Sequence, residues 1–308
     1  MTGTTRASLI VLNYEGERVL EDCVRSLLAD MSDEDELIVV DNASTDGSGV
    51  RVAQAYPRVK LVALPENTYI FGLNEGLKVA TGKYVAFLNN DMTVDRGFID
   101  GCLDGFTSPE IFAVCPRILE LGGAEQGSRT SGKWRGGLIF YTALPHSPEP
   151  TDCFFAVGGQ SFFDHEKLQE IGSIDPLLRP MYHEDIELSY RAWKRGWVIR
   201  YAPDSVVRHV GGHSSRKVFT PTQLRSFVRQ NEYLTVWKNV TDTRLLVEHF
   251  AALPFRLLVA ALKRDMGTLR GFGRAVSRLP ELRHARTEAR KHMRLTDAAV
   301  LARVGAIR

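Results

Sequence analysis

The stretch SLIVLNY at residues 8–14, followed after an interval by ELIVVDNASTDGS at residues 36–48, decides how this chain folds. Each begins with a short apolar run rich in β-branched residues and without polar alternation, the mark of a strand buried on both faces. Between them Val19, Leu20, Cys23, Val24, Leu27 and Leu28 recur at helical spacing. The rhythm continues with a helix through Val50–Tyr56, a strand at Val59–Leu64, a helix near Gly72–Ala80 and a strand at Tyr84–Leu88. Strand and helix in this alternation imply right-handed crossovers and a mostly parallel sheet. The N-terminal third therefore reads as an α/β half-domain of the nucleotide-binding type.

Beyond it the pattern loosens. Residues 120–150 are rich in Gly, Ser, Thr and Pro and read as a long loop over the sheet edge. Short strands are expected at Asp152–Val157 and Gln160–Asp164, around Gly158 and Gly159. A charged helix follows at Asp185–Gly196, with Gly196 just past its end. Trp197–Ala202 and Ser205–His209 are strand-like, and from Pro221 the chain turns helical.

The composition, 44% apolar and 25% charged over 308 residues, is that of a globular protein and excludes disordered, collagen-like and coiled-coil classes. Its net charge of +2 hides an asymmetry: residues 245–308 hold 13 Lys and Arg against 5 Asp and Glu, while the rest is mildly acidic. The four cysteines stand far apart, which argues against a zinc module and fits a reducing compartment. The N-terminus lacks the apolar core of a signal peptide, and no stretch of about 18 uninterrupted apolar residues suggests a span. A cytoplasmic location is expected, with peripheral attachment to the inner face of the cell membrane as a further option.

In open α/β sheets, ligands bind beyond the carboxyl ends of the strands. Two polar clusters fall at such ends: Asp41-Asn42 with Asp46, and Asn89-Asn90-Asp91. An Asp there can accept hydrogen bonds from a ribose or base, and one at a later strand end can hold a divalent cation bridging phosphates. Taken singly, each cluster reads more readily as a helix cap. Glu184 and Asp185 open a helix, where a carboxylate can face a cleft and act as a general base. Glu187 and Arg191, four apart, are expected to form a surface ion pair.

Taken in order, these segments resemble the inverting glycosyltransferases of family 2, with the GT-A fold. The resemblance rests on SLIVLNY, VVDNASTDGS, ENTYIFGLNEGLKVATGKYVAFLNNDM, GGQSFF, HEDIELSYRAWKRGW and RHVGGHSS, and spans roughly residues 7–240. Within the family, the pattern is similar to bacterial rhamnosyltransferases of cell-surface polysaccharide assembly. It implies a Rossmann-like, mostly parallel sheet flanked by helices as a catalytic domain over 1–240. The nucleotide-sugar half would end near 118, an acceptor half would cover 119–240, and a basic helical extension would occupy 241–308.

By that resemblance Asn13 lies near the nucleotide and Asp41 contacts its base or ribose, with Asn42 and Asp46 supporting the pocket. Asn67, Phe71, Gly72 and Asn74 match the loop along the donor. Asn89-Asn90-Asp91 takes the place of the metal-binding D-x-D motif, with Asn89 where its first Asp stands. Asp91 is left as the main carboxylate for Mg²⁺ or Mn²⁺, and His209 approaches the metal or diphosphate. Asp185 matches the family's general base, which Glu184 would assist. Gly158, Gly159 and Gln160 match the segment beneath the sugars, and Trp134, in the glycine-rich loop, is an acceptor-site candidate. Trp193 and Trp197 read as core residues.

The implied donor is dTDP-rhamnose or a UDP-sugar, and the implied acceptor a cell-surface glycan or a lipid-linked sugar. A sugar nucleotidyltransferase would be expected to carry a glycine-rich, basic phosphate loop after its first strand, where this chain has Asn13-Tyr14-Glu15-Gly16-Glu17. A non-catalytic sugar-binding module would have no use for Asp91 together with Glu184 and Asp185. The tail reads equally as a helix for an anionic membrane surface or as a bundle packed on the catalytic domain or on a second copy in a homodimer. Its basic residues lack interleaved aromatics, so nucleic acid is not an expected partner.

Overall fold

Alternate residues of the first strands point into two different apolar layers. In β1 (Ala7–Asn13) and β2 (Asp35–Asp41), Leu9, Val11, Leu37 and Val39 pack with α1 (Leu20–Asp30) and α2 (Ser48–Ala55). Ile10, Ile38 and Val40 enter the opposite layer with α3 (Gly72–Leu77). Covering both faces is what removes polar alternation from these strands. The computed structural model describes residues 5–120, 122–209 and 218–307; the part of RHVGGHSS after His209 lies outside the described residues.

Among those residues β3 (Val59–Ala63), β2, β1 and β4 (Tyr84–Asn89) form a parallel run. The sheet continues through β10 (Gln160–Asp164), β6 (Ile111–Glu120), β11 (Val198–His209) and β5 (Met92–Val94). β10 is antiparallel to both β4 and β6, β11 is parallel to β6, and β5 closes the edge antiparallel. The crossovers leaving β1 run toward β2 on one side while β4 sits on the other. The crevice of the fold therefore opens at the carboxyl ends of β1 and β4.

Three expectations need correction. Residues 120–150 are not one long loop: β7 (Thr130–Arg135) and β8 (Leu138–Ala143) form a hairpin. Gly136 and Gly137 turn it with φ of +54° and +83°, the left-handed pair a tight hairpin needs. The strand expected at 152–157 is reduced to β9 (Thr151–Asp152), after which the Cys153 and Phe154 amides bond to the Ile199 and Thr130 carbonyls outside a regular ladder. The two strands expected at 197–209 are one, β11, with a register shift between Ala202 and Val206 that absorbs Pro203.

The C-terminal part is helical. A capping box of Thr220 and Gln223 starts α7 (Pro221–Asn239), followed by α8 (Thr243–Leu262), α9 (Met266–Ser277), α10 (Leu279–Lys291) and α11 (Asp297–Gly305). Gly271 lets α9 close on α7, since a Cβ there would stand 2.6 Å from the Arg229 Cβ. Asp297, at the start of α11, accepts from Lys194 at 2.9 Å and from the Tyr190 hydroxyl at 2.7 Å, both on α6 (Glu184–Lys194). The extension is thus one solid with the helix that begins at Glu184.

Candidate active site

The crevice is built from the polar ends of apolar strands. Asn13, fully buried at the end of β1, donates to Ser48 Oγ at 2.9 Å and accepts from Asn90 Nδ2 at 2.8 Å. Gly16 makes that contact possible, because a Cβ there would overlap Asn13 Oδ1 at 2.0 Å. Asp41 accepts from the Ser44 amide at 3.1 Å, and Asp46 from the Ser48 amide at 2.9 Å and the Glu17 amide at 2.8 Å. Asn42 ties the next loop down, donating to Asn67 Oδ1 at 2.8 Å and accepting from the Thr68 amide at 2.8 Å. Asn42, Asn67, Asn89, Asn90, Asp91 and His209 line a cavity of about 350 Å³, whereas Asn13, Asp41 and Asp46 stand beside it without lining it.

Other predicted residues sit behind that wall. Phe71 is buried under the Arg179 guanidinium, and Gly72 passes Leu12 so closely that a Cβ would come within 2.7 Å of it. Asn74 holds Ile174 and Ser173 rather than the cavity. Gln160 is buried in β10, next to Gly159.

Asp91, in the turn after β4, and His209, at the end of β11, come together with Oδ2 to Nε2 at 3.1 Å. The other ring nitrogen of His209 faces Gln126 Oε1 at 2.9 Å, which orients the imidazole. A hydrogen bond to Asp91 raises the His209 pKa, against the opposing effect of burial. One carboxylate and one imidazole, with diphosphate oxygens and water for the remaining positions, suit a hard divalent cation. Among the described residues no three His, Cys, Asp or Glu side chains are arranged to hold a metal ion by themselves.

A second cavity, of about 390 Å³, holds Glu184 and Asp185 with Phe140, Tyr141, Phe155 and Glu232. Tyr182 lines both cavities. It and His183 have φ of +71°, a strained conformation for side-chain-bearing residues just where α6 begins. Burial raises both carboxyl pKa values. Glu184, which also feels the Asp185 charge, is pushed up to about 8. Gly158 and Gly159 join the two cavities: a Cβ on Gly158 would lie 3.6 Å from the Asp185 Cβ, and one on Gly159 would overlap Asn89 at 2.4 Å. The Asn89 amide bonds to the Gly159 carbonyl at 2.9 Å.

Trp134 lies on β7, packed against the core, and lines neither cavity; Tyr141 and Phe155 supply the aromatic wall beside the carboxylates. The surface pair expected of Glu187 and Arg191 is instead buried. Glu187 is fully enclosed, with Arg191 Nε at 2.9 Å, Lys238 Nζ at 2.8 Å and Asn239 Nδ2 at 2.9 Å. Burial would raise its pKa, yet the Arg191 and Lys238 charges hold it down at about 2. Sequence spacing cannot distinguish this pair from a surface one, because Lys238 and Asn239 of α7, which cover it, lie 51 and 52 residues beyond Glu187. Tyr14 and Tyr69, which fall inside two of the segments that carry the resemblance but are not among the predicted site residues, also line the first cavity, as does Phe219, which lies in none of those segments.

Residues 8–172 match the model of glycosyl transferase family 2. The chain is 28% identical over 226 residues to N-acetylgalactosaminyltransferase 6 of Drosophila melanogaster, covering 66% of this chain and 34% of that protein. It is 28% identical over 143 residues to a pre-mycofactocin glycosyltransferase of Mycobacterium tuberculosis, covering 44% of this chain and 28% of that one. The chain thus spans about a third of the length of these curated relatives. Among solved structures, GalNAc-T7 with UDP, GalNAc and Mn²⁺ superposes with a TM-score of 0.64 at 18% identity, over 77% of this chain and 48% of that one. S. aureus TarS 1–349 in complex with UDP-GlcNAc superposes with a TM-score of 0.61 at 15% identity, over 97% and 90%. These two likenesses concern the fold.

Proposed function

The chain belongs to glycosyl transferase family 2, and from that premise we propose that it moves one sugar from a nucleotide diphosphate to an acceptor hydroxyl, with inversion. The favoured donors are dTDP-rhamnose and UDP-sugars, and the acceptor is a cell-surface glycan or a lipid-linked sugar. One observation carries the reading: Gly158 and Gly159 set the Asn89–Asp91 strand end directly beside Glu184 and Asp185. A diphosphate-side cavity and a carboxylate-lined cavity therefore share one wall, at Tyr182.

In this reading the donor lies in the first cavity, its base and ribose toward Asp41 and its diphosphate toward Asp91 and His209. Asp91 and His209 would hold Mg²⁺ or Mn²⁺, whose bound charge offsets that of a departing diphosphate. The acceptor enters the second cavity, where Asp185 takes the hydroxyl proton as that oxygen bonds to the anomeric carbon. The bond from the anomeric carbon to the diphosphate breaks in the same step and its electron pair leaves with the phosphate. A single displacement of this kind inverts the anomeric centre. Glu184, protonated at neutral pH, can donate a hydrogen bond to an acceptor hydroxyl.

A donor screen with dTDP-, UDP- and GDP-sugars, run with Mn²⁺ and with chelator on wild type and Asp91→Ala, tests the assignment. Hydrolysis or transfer of at least one donor is expected. Donor affinity should be lost on chelation in the wild type and be metal-insensitive in the variant. Equal sensitivity of the two proteins to chelator would remove Asp91 from the metal role.

A further inference from the structure

Helix α8 has two faces of opposite character. Inward, His249, Leu253 and Ala260 are buried, the His249 ring faces the Gly137 carbonyl at 2.6 Å, and Arg256 holds the Gly136 carbonyl. Outward, Val247, Phe250, Phe255, Leu258 and Leu262 follow one another at helical spacing along a single stripe. Phe255 is 69% exposed and Leu262 75%, and Met266 extends the stripe onto the start of α9. Contiguous apolar surface of this kind on a folded protein marks a contact with something else.

The charges around the stripe say what. Exposed Arg244 stands at its start, and exposed Lys263, Arg264 and Arg270 at its end. Of the two acidic side chains within this span, Glu248 is turned toward the hairpin, accepting from the Gly137 amide at 3.3 Å, and Asp265 caps α9 and is paired with Arg225 at 2.9 Å. We propose that the outward face of α8 docks on an anionic lipid bilayer, lying in its surface with the flanking basic residues at the headgroups. Long apolar stripe and basic flanks are the two components of interfacial helix binding. A second copy of the chain fits less well, because two such faces brought together would also bring their positive flanks together.

α8, at 20 residues, is long and apolar enough to cross a bilayer. Crossing would strip His249 and Arg256 from the hairpin, whereas lying in the surface leaves every inward contact in place. The hairpin so anchored carries Phe140 and Tyr141, which wall the cavity of Glu184 and Asp185. Docking therefore ties the carboxylate cavity to the membrane face of the molecule.

The test is co-sedimentation of the full chain with vesicles of phosphatidylcholine alone and of phosphatidylcholine mixed with phosphatidylglycerol, at low and high salt. The wild type should sediment with the anionic vesicles and be released by salt, since the attraction is screened over about 8–10 Å at physiological ionic strength. The variant Phe255→Ser, Leu258→Ser, Leu262→Ser should bind at least about tenfold more weakly. Its far-UV circular dichroism and melting temperature should match the wild type, because those side chains face solvent. Failure of the wild type to bind anionic vesicles at low salt, or undiminished binding by the variant, would overturn the proposal. Self-association that the variant abolishes, without vesicle binding, would reassign the face to a second copy. Because the readout is binding to lipid, the outcome is independent of donor chemistry.

Discussion

Glu184 and Asp185 are neighbours on one helix turn, yet their protonation separates them. Both are raised by burial, and Glu184 further by the charge beside it, to about 8. Asp185 therefore ionises first and is the carboxylate available to take a proton at neutral pH. We expect Asp185→Asn to lower transfer by about two to four powers of ten while donor affinity stays near wild type. A base works only when ionised, so the rate should rise with pH through a limb above the ordinary carboxylate value of about 4. Glu184 still holds its proton across that limb, so Glu184→Gln should leave its position unchanged. Rate-against-pH profiles of the three proteins check this. A limb near pH 8 that vanishes in Glu184→Gln would make Glu184 the base.

At the scale of elements, the helix carrying that pair is held by a charge from the far end of the chain. Asp297 is buried and accepts from Lys194, Tyr190 and the Thr241 and Asp242 amides. Burial would raise its pKa, but these donors lower it, Tyr190 foremost. A carboxyl lowered in the folded state contributes stability above its unfolded pKa, and that contribution is lost as the pH falls through the folded value. Removing Asp297 leaves the Lys194 ammonium buried beside no carboxylate of its own. Asp297→Ala should cost about 3–5 kcal/mol, and adding Lys194→Met should recover much of it. Urea unfolding of the single and double variants measures both. A loss below about 1 kcal/mol in the single variant would show that the pair contributes little.

For the molecule as a whole, the basic extension is both packed and exposed, so the two sequence readings of it are not exclusive. Trp237 and Tyr233 of α7 stack together and meet Phe272 of α9 and His249 of α8. The hairpin turn rests on α8, and Gly132 of β7 packs against Val304 of α11. A chain ending at Asn239 keeps the Tyr233–Trp237 stack but loses every contact with α8, α9 and α11, and bares the aromatic side of α7. Such a chain should aggregate and hydrolyse no donor, in contrast to the outward-face variant of α8. Size-exclusion chromatography with a donor-hydrolysis assay decides. A monomeric, hydrolysing truncation would show that the catalytic part folds alone.

Sequence by itself determined the parallel half of the sheet and the carboxyl-end clusters. A strand buried on both faces writes an unbroken apolar run locally, and the polar residues ending it mark the crevice without reference to anything distant. That is why Asp41, Asn90 and Asp91 could be named from the strand ends alone, whereas Asn13 was named through the resemblance. Only the tertiary structure decided what covers what. The hairpin at 130–143 was legible only in its second half: Gly136-Gly137 and the apolar run Leu138–Tyr141 carry a turn and strand signal, but the Gly, Ser and Lys of β7 carry none until α8 and α11 pack against it. Glu187 and Arg191 have the spacing of a surface pair, and Lys238 and Asn239 make them a buried one. The aromatic wall of Tyr141 and Phe155 assembles from separate segments beside Glu184. Periodicity reports how a segment meets its own neighbours, whereas burial by a remote helix depends on contacts that no local window contains.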